Sequence, residues 1–168
     1  VTASSSEADT IVTNGMSYYA RNGENANSAV LVGITPDDFE KNDIMGGIEL
    51  QREIEKAAFK AAGGNYKAPV ALVGDFLDKR VSDKFGNVNP TYPIGTAFVL
   101  PDEYLPDFVC NALRYALPRF AKKISCFGLS DAVMTGPETR SSSPVRILRD
   151  STLSSVSVKG LYPCGEGA

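Results

Sequence analysis

Apolar residues recur every three or four positions over two stretches of this chain, which is the spacing of a helix with one buried face. Between Gly47 and Ala62, the residues Leu50, Ile54, Ala57, Ala58 and Ala61 share a face, with Gln51, Arg52, Glu55 and Lys56 on others. This predicts a helix that ends at Gly63-Gly64, because glycine adopts the left-handed backbone that closes helices. A second helix is predicted from about Pro101 or Asp102, with Leu105, Val109, Ala112, Leu113, Ala116 and Phe120 as its apolar side. Pro118 is expected to break it or begin a new turn, since proline lacks an N–H and crowds the preceding turn. Thr35-Pro36-Asp37-Asp38 has the form of a helix start with Thr35 as cap, but only a short turn fits before Asn42.

The remaining apolar stretches are strand-like. Ser28 to Ile34 is a continuous apolar run, expected to be buried on both faces. Thr10 to Thr13 is short and β-branched, and Asn14-Gly15 after it signals a turn. Ala68 to Val73 and Ala97 to Leu100 read as extended, and Asp75-Phe76-Leu77 as a short turn. Lys79 to Tyr92 is polar and rich in Asn and Gly, a long loop. Asp131 to Gly136, Val145 to Arg149 and Ser154 to Leu161 complete the strand candidates. Two to three helices with about six strands predict an α+β fold, with a mixed or antiparallel sheet or a partial barrel. The irregular alternation argues against a doubly wound nucleotide domain.

Composition narrows the function classes. The chain has 168 residues, 43% hydrophobic and 22% charged, as in an ordinary globular domain. A net charge of -3 does not favour a polyanion, so no nucleic-acid partner is expected. No apolar run is long enough to cross a bilayer, so no membrane partner is expected either. The three cysteines, Cys110, Cys126 and Cys164, lie far apart and read as small buried hydrophobes in a reducing cytoplasm. There is no histidine, which removes Ser-His and Cys-His nucleophile pairs, and no metal site is expected. Both ends read as internal cuts, so the natural protein is expected to continue in both directions.

Four segments hold residues suited to chemistry. Gly165-Glu166-Gly167-Ala168 follows a strand-like stretch. Its small residues would let backbone approach a cofactor, and its acid can accept a hydroxyl hydrogen bond. The plain alternative is a loop with two glycines. Arg140, Ser141, Ser142 and Arg146 combine fork-shaped donors with hydroxyls, suited to a carboxylate, phosphate or polarised carbonyl, or else to a solvated connection. Tyr18, Tyr19 and Arg21 could line a pocket, with a tyrosine as proton donor, or simply anchor a partly buried loop. Gly63-Gly64-Asn65-Tyr66-Lys67 lacks the Lys-Ser or Lys-Thr ending of a phosphate loop, so a helix stop explains it almost as well.

Taken in order, residues 12–21, 63–69, 138–147 and 160–168 resemble the uncharacterised FAD-dependent dehydrogenases of bacteria. The resemblance implies a cytoplasmic flavoprotein oxidoreductase with a two-part FAD-binding domain. It implies that this chain is the inserted substrate-side domain, with 1–160 as the insert and 161–168 as the start of the return segment. Gly165, Glu166, Gly167 and Ala168 would then open the second FAD-contacting segment, with Glu166 facing the ribitol. Arg140, Ser141, Ser142 and Arg146 would face flavin or substrate, joined by Tyr18 and Arg21. FAD is expected in the full-length parent and none in this fragment. The expected partners are the missing FAD-binding domain and a small-molecule substrate. The alternative is a binding module for a protein or ligand, without catalysis.

Overall fold

The two helices predicted from periodicity are present. In the computed structural model, which describes residues 1–4, 6–39 and 43–168, helix α1 runs over Gly46–Ala61 and α3 over Asp107–Ala121. The end of α1 shows why its sequence stops there. Gly63 N–H donates to the Lys60 carbonyl and Gly64 N–H to the Phe59 carbonyl, the paired bonds that close a helix through a left-handed residue. Gly63 supplies that residue with φ of +93°. The start of α3 is set by Pro106, which occupies the cap position, so a separate 3₁₀ turn at Pro101–Glu103 precedes it. A short helix, α2 (Val73–Leu77), stands where a turn is predicted.

Two small sheets accompany the helices. Strands β1 (Thr2–Ala3) and β2 (Thr13–Asn14) pair antiparallel. Strand β3 (Ala68–Leu72) lies between β4 (Thr96–Phe98), which is parallel to it, and β5 (Val133–Thr135), which is antiparallel. Its central place explains its near-continuous apolar sequence, since its first four residues are buried. Pro69 can accept but cannot donate, so it takes the Gly136 N–H at 3.2 Å, and the β3–β5 pairing runs only from Val70 onward. The fold is α+β with a mixed sheet, and neither sheet closes into a barrel.

The chain divides into two compact units. The first comprises Val1–Gly33 and Glu53–Thr139, the second Ile34–Arg52 and Arg140–Ala168. The first holds the core. Val73 and Phe76 pack with Val109, Cys110, Leu113 and Leu117 of α3, and Ala58 of α1 packs with Val99 and Tyr104. The second unit buries only Gly46, Gly47 and Ser155 among its described residues.

Several expected elements are absent, each for a physical reason. Ser28 to Ile34 is no strand and is largely exposed. Val30 and Val32 pack on the core while Leu31, between them, is 53% exposed, so the run is an unpaired extended cover with period-two alternation. Val145 to Arg149 and Ser154 to Leu161 contribute only an isolated bridge between Arg149 and Ser155. Between them, the Asp150 carboxylate accepts the Thr152 N–H at 2.8 Å, the Thr152 hydroxyl at 2.6 Å and the Ser154 N–H at 3.2 Å. Such local bonds compete with a strand ladder. Pro118 does not break α3: it is exposed in the last turn, and the helix continues to Ala121. Thr35 is no helix cap; it donates through N–H and hydroxyl to Asp38, at 2.7 and 3.0 Å. The rest of that expected turn, residues 40–42, lies outside the described residues.

Candidate functional site

The second unit places the two most distinctive segments of the sequence side by side. Ile147 N–H donates to the Gly167 carbonyl at 2.8 Å. A methyl group at Gly167 would sit 2.8 Å from Ser143 Oγ and 3.1 Å from the Val145 carbonyl, so any larger residue would have to push the Ser143 hydroxyl and the loop back. Ser143 Oγ itself donates to the Val145 carbonyl at 2.7 Å, bending the loop back on itself. One guanidinium N–H of Arg149 reaches the Pro163 carbonyl at 3.2 Å, a further tie between the segments. Pro144 packs on Gly47 in the first turn of α1.

Within this arrangement Arg140, Ser141, Ser142 and Arg146 are exposed. Glu166 is exposed as well, on a turn closed by the Ala168 N–H to the Gly165 carbonyl. Gly165 has φ of +92° and open space where a side chain would stand. Chemically, the unit presents fork-shaped cations, small hydroxyls and a carboxylate, with one stretch of backbone free of side-chain cover. Tyr18 and Arg21 belong to the first unit. Both are exposed and close a turn in which Arg21 N–H donates to the Tyr18 carbonyl at 2.9 Å.

The structure also brings out residues that periodicity alone conceals. Glu55 falls on the polar side of α1 in the sequence yet is fully buried. Its Oε1 accepts the Thr139 hydroxyl at 2.6 Å, fixing the residue that precedes Arg140. Its main-chain carbonyl accepts the Ile11 N–H at 3.2 Å. A buried acid on a helix with an apolar face carries no local signal, because its partner lies 84 positions away. Arg114 joins Asp102 in a bidentate pair, donates to the Phe76 carbonyl at 3.0 Å, and stacks 4.2 Å from the Phe76 ring centre. The hydrogen bond from Arg114 holds the Asp102 carboxyl below its usual range.

A concavity of about 240 Å³ opens beyond the C-terminal end of β3. Two of its acids are engaged within the fold. Asp75 is held by Arg80 at 2.6 Å, and Asp131 accepts the Asn87 N–H at 3.0 Å. Among the described residues no cluster of three or more Cys, Asp or Glu is placed to hold a metal ion. The cysteines differ from their uniform expectation: Cys110 is buried, but Cys126 and Cys164 are exposed. Burial, then the nearby Asp102 charge, pushes the Cys110 thiol up to about 11. The glycine-rich segment after α1 is accounted for by helix closure and by Tyr66, whose ring packs 4.8 Å from that of Phe59.

Residues 1–141 match the family described as FAD-dependent protein, C-terminal domain-like. The chain belongs to that family. It is also 51% identical, over all 168 residues, to a protein of Clostridium beijerinckii (strain ATCC 51743 / NCIMB 8052) that carries the name Uncharacterized protein. The match takes up 32% of that relative, so the chain spans about one third of the relative's length. No helix among the described residues is long and apolar enough to cross a membrane.

Proposed function

We propose that this chain is the substrate-side domain of a FAD-dependent oxidoreductase, capping the flavin and shaping the substrate pocket. The reading extends the family membership, that of FAD-dependent proteins, to a particular role. The observation that carries it is the packing of the arginine–serine loop against the Gly-Glu-Gly-Ala turn.

When bound in the parent, FAD supplies the hydride-accepting chemistry, and protein groups supply orientation and electrostatics. The residues present fit one edge of such a cofactor. The left-handed Gly165 leaves its backbone open to close approach, and the exposed Glu166 carboxylate can accept a ribitol hydroxyl. Gly167 serves its own chain, where it leaves room for the close approach of Ser143. Arg140 and Arg146 would hold an anionic substrate or polarise its carbonyl, with Ser141 and Ser142 as neutral donors. Tyr18 and Arg21, in the first unit, would be further substrate-facing candidates. In this reading residues 1–160 form an insert, 161–168 begin the return to the FAD-binding part, and the parent works in the cytoplasm.

The test is Arg140→Ala in the full-length parent. Flavin reduction by an anionic or carbonyl-forming donor is expected to slow by about 100-fold, the scale of one lost charged contact to a reacting group. Unchanged reduction by every tested donor would remove the main residue of this assignment.

A further inference from the structure

The second unit carries apolar side chains that its other described residues leave exposed. Leu148 is 60% exposed, Val156 60%, Val158 52%, Leu161 40% and Tyr162 66%. They are not scattered along a loose tail. Val156 N–H donates to the Leu148 carbonyl at 3.1 Å, Ser155 N–H to the Leu161 carbonyl at 2.8 Å, and Leu161 N–H to the Val158 carbonyl at 3.3 Å. Ser155, buried at the centre, receives the Val158 N–H on its hydroxyl. These bonds bring the backbone of Leu148, Val156, Val158 and Leu161 together, with Tyr162 next to Leu161 in sequence, while the unit buries no large apolar side chain among its described residues. Contiguous exposed apolar surface of this kind marks a site of association.

We infer that this patch is the surface on which the FAD-binding part of the longer parent seats itself. The inference rests on the flavoprotein reading above and gives it a location. Two observations point to this occupant. The relative that matches the chain end to end has about two thirds of its length outside the match, and the family is one of FAD-dependent proteins. The patch also leads directly into the Gly165–Ala168 turn: Tyr162 is three residues from Gly165, and Pro163 is tied to Arg149. A cover seated there would place the turn and the arginine loop at the junction.

Cys164 lies two residues beyond Tyr162 and is exposed here, as is Cys126 in the other unit. In the native full-length parent, thiol labelling with peptide mapping should show Cys164 reacting at least about tenfold more slowly than Cys126, because a seated cover must open before the reagent enters. Urea should equalise the two. Leu148→Asp and Val156→Asp, introduced separately, should each restore Cys164 labelling with Cys126 unchanged. Labelling of Cys164 as fast as Cys126 in the native parent overturns the inference. So does protection that disappears on dilution as a dimer dissociates, since the occupant is then a second copy. A parent that shows this protection but holds no flavin defeats the flavoprotein reading and leaves the docking surface standing.

Discussion

Asp102 illustrates how a single side chain couples stability to pH. It lies just before α3, and the Arg114 guanidinium grips both of its oxygens while also binding the Phe76 carbonyl. Its folded pKa is therefore lowered below the ordinary 3.8. Stability from a lowered carboxylate is present above the unfolded value and is lost as pH falls through the folded one. Asp102→Asn should cost about 1 to 2 kcal/mol at neutral pH, the scale of a partly exposed charge-assisted bond, and should flatten the fall in unfolding midpoint below about pH 4. Urea titrations of both proteins from pH 7 to pH 2 check this; parallel acid limbs would refute it. The pair is invisible in the sequence, where Asp102 looks only like an acid at a helix start. Glu55 is a stronger case: a helical wheel sets it with Arg52 and Lys56, away from the apolar face, yet it is buried beneath Thr139. Local pattern reports which positions repel water, whereas a buried polar residue is specified by a distant partner.

At the scale of elements, the sequence is most informative where local chemistry decides. Helix α1 and its glycine stop, strand β3 and the short β5 follow directly from periodicity and composition. The arginine loop and the terminal turn are legible as motifs, but their contact is not, because it depends on Gly167 fitting against Ser143. Strands are overestimated where apolar residues occur without a neighbour to pair with, as at Ser28 to Ile34 and Ser154 to Leu161. Pro118 shows the limit of the breaker rule. An exposed proline in a last turn forfeits one ladder bond, and the buried stripe of Val109, Leu113 and Leu117 holds the helix regardless. Pro118→Ala restores that donor and should raise stability by about 1 kcal/mol, less than the roughly 3 kcal/mol of a helix interior. An unchanged or lower denaturation midpoint would mean that α3 is not helical through this position.

For the molecule as a whole, the division into two units separates the core from the arginine–serine loop and the terminal turn. The first unit packs its own apolar residues, and the second displays cations, a carboxylate and an apolar patch. Purified alone, this chain should show no stoichiometric flavin absorbance band, whereas the full-length parent should; a flavin-coloured chain would mean that it contains a complete cofactor site. Another feature bears on when the first unit can close. Thr13 donates through its N–H and its hydroxyl to the Pro137 carbonyl, at 2.8 and 3.0 Å, across 124 positions of sequence. The first unit is thus laced shut near its own entrance and exit. A ribosome must deliver Pro137 before the lacing can be tied, so closure of this unit belongs to the end of its synthesis.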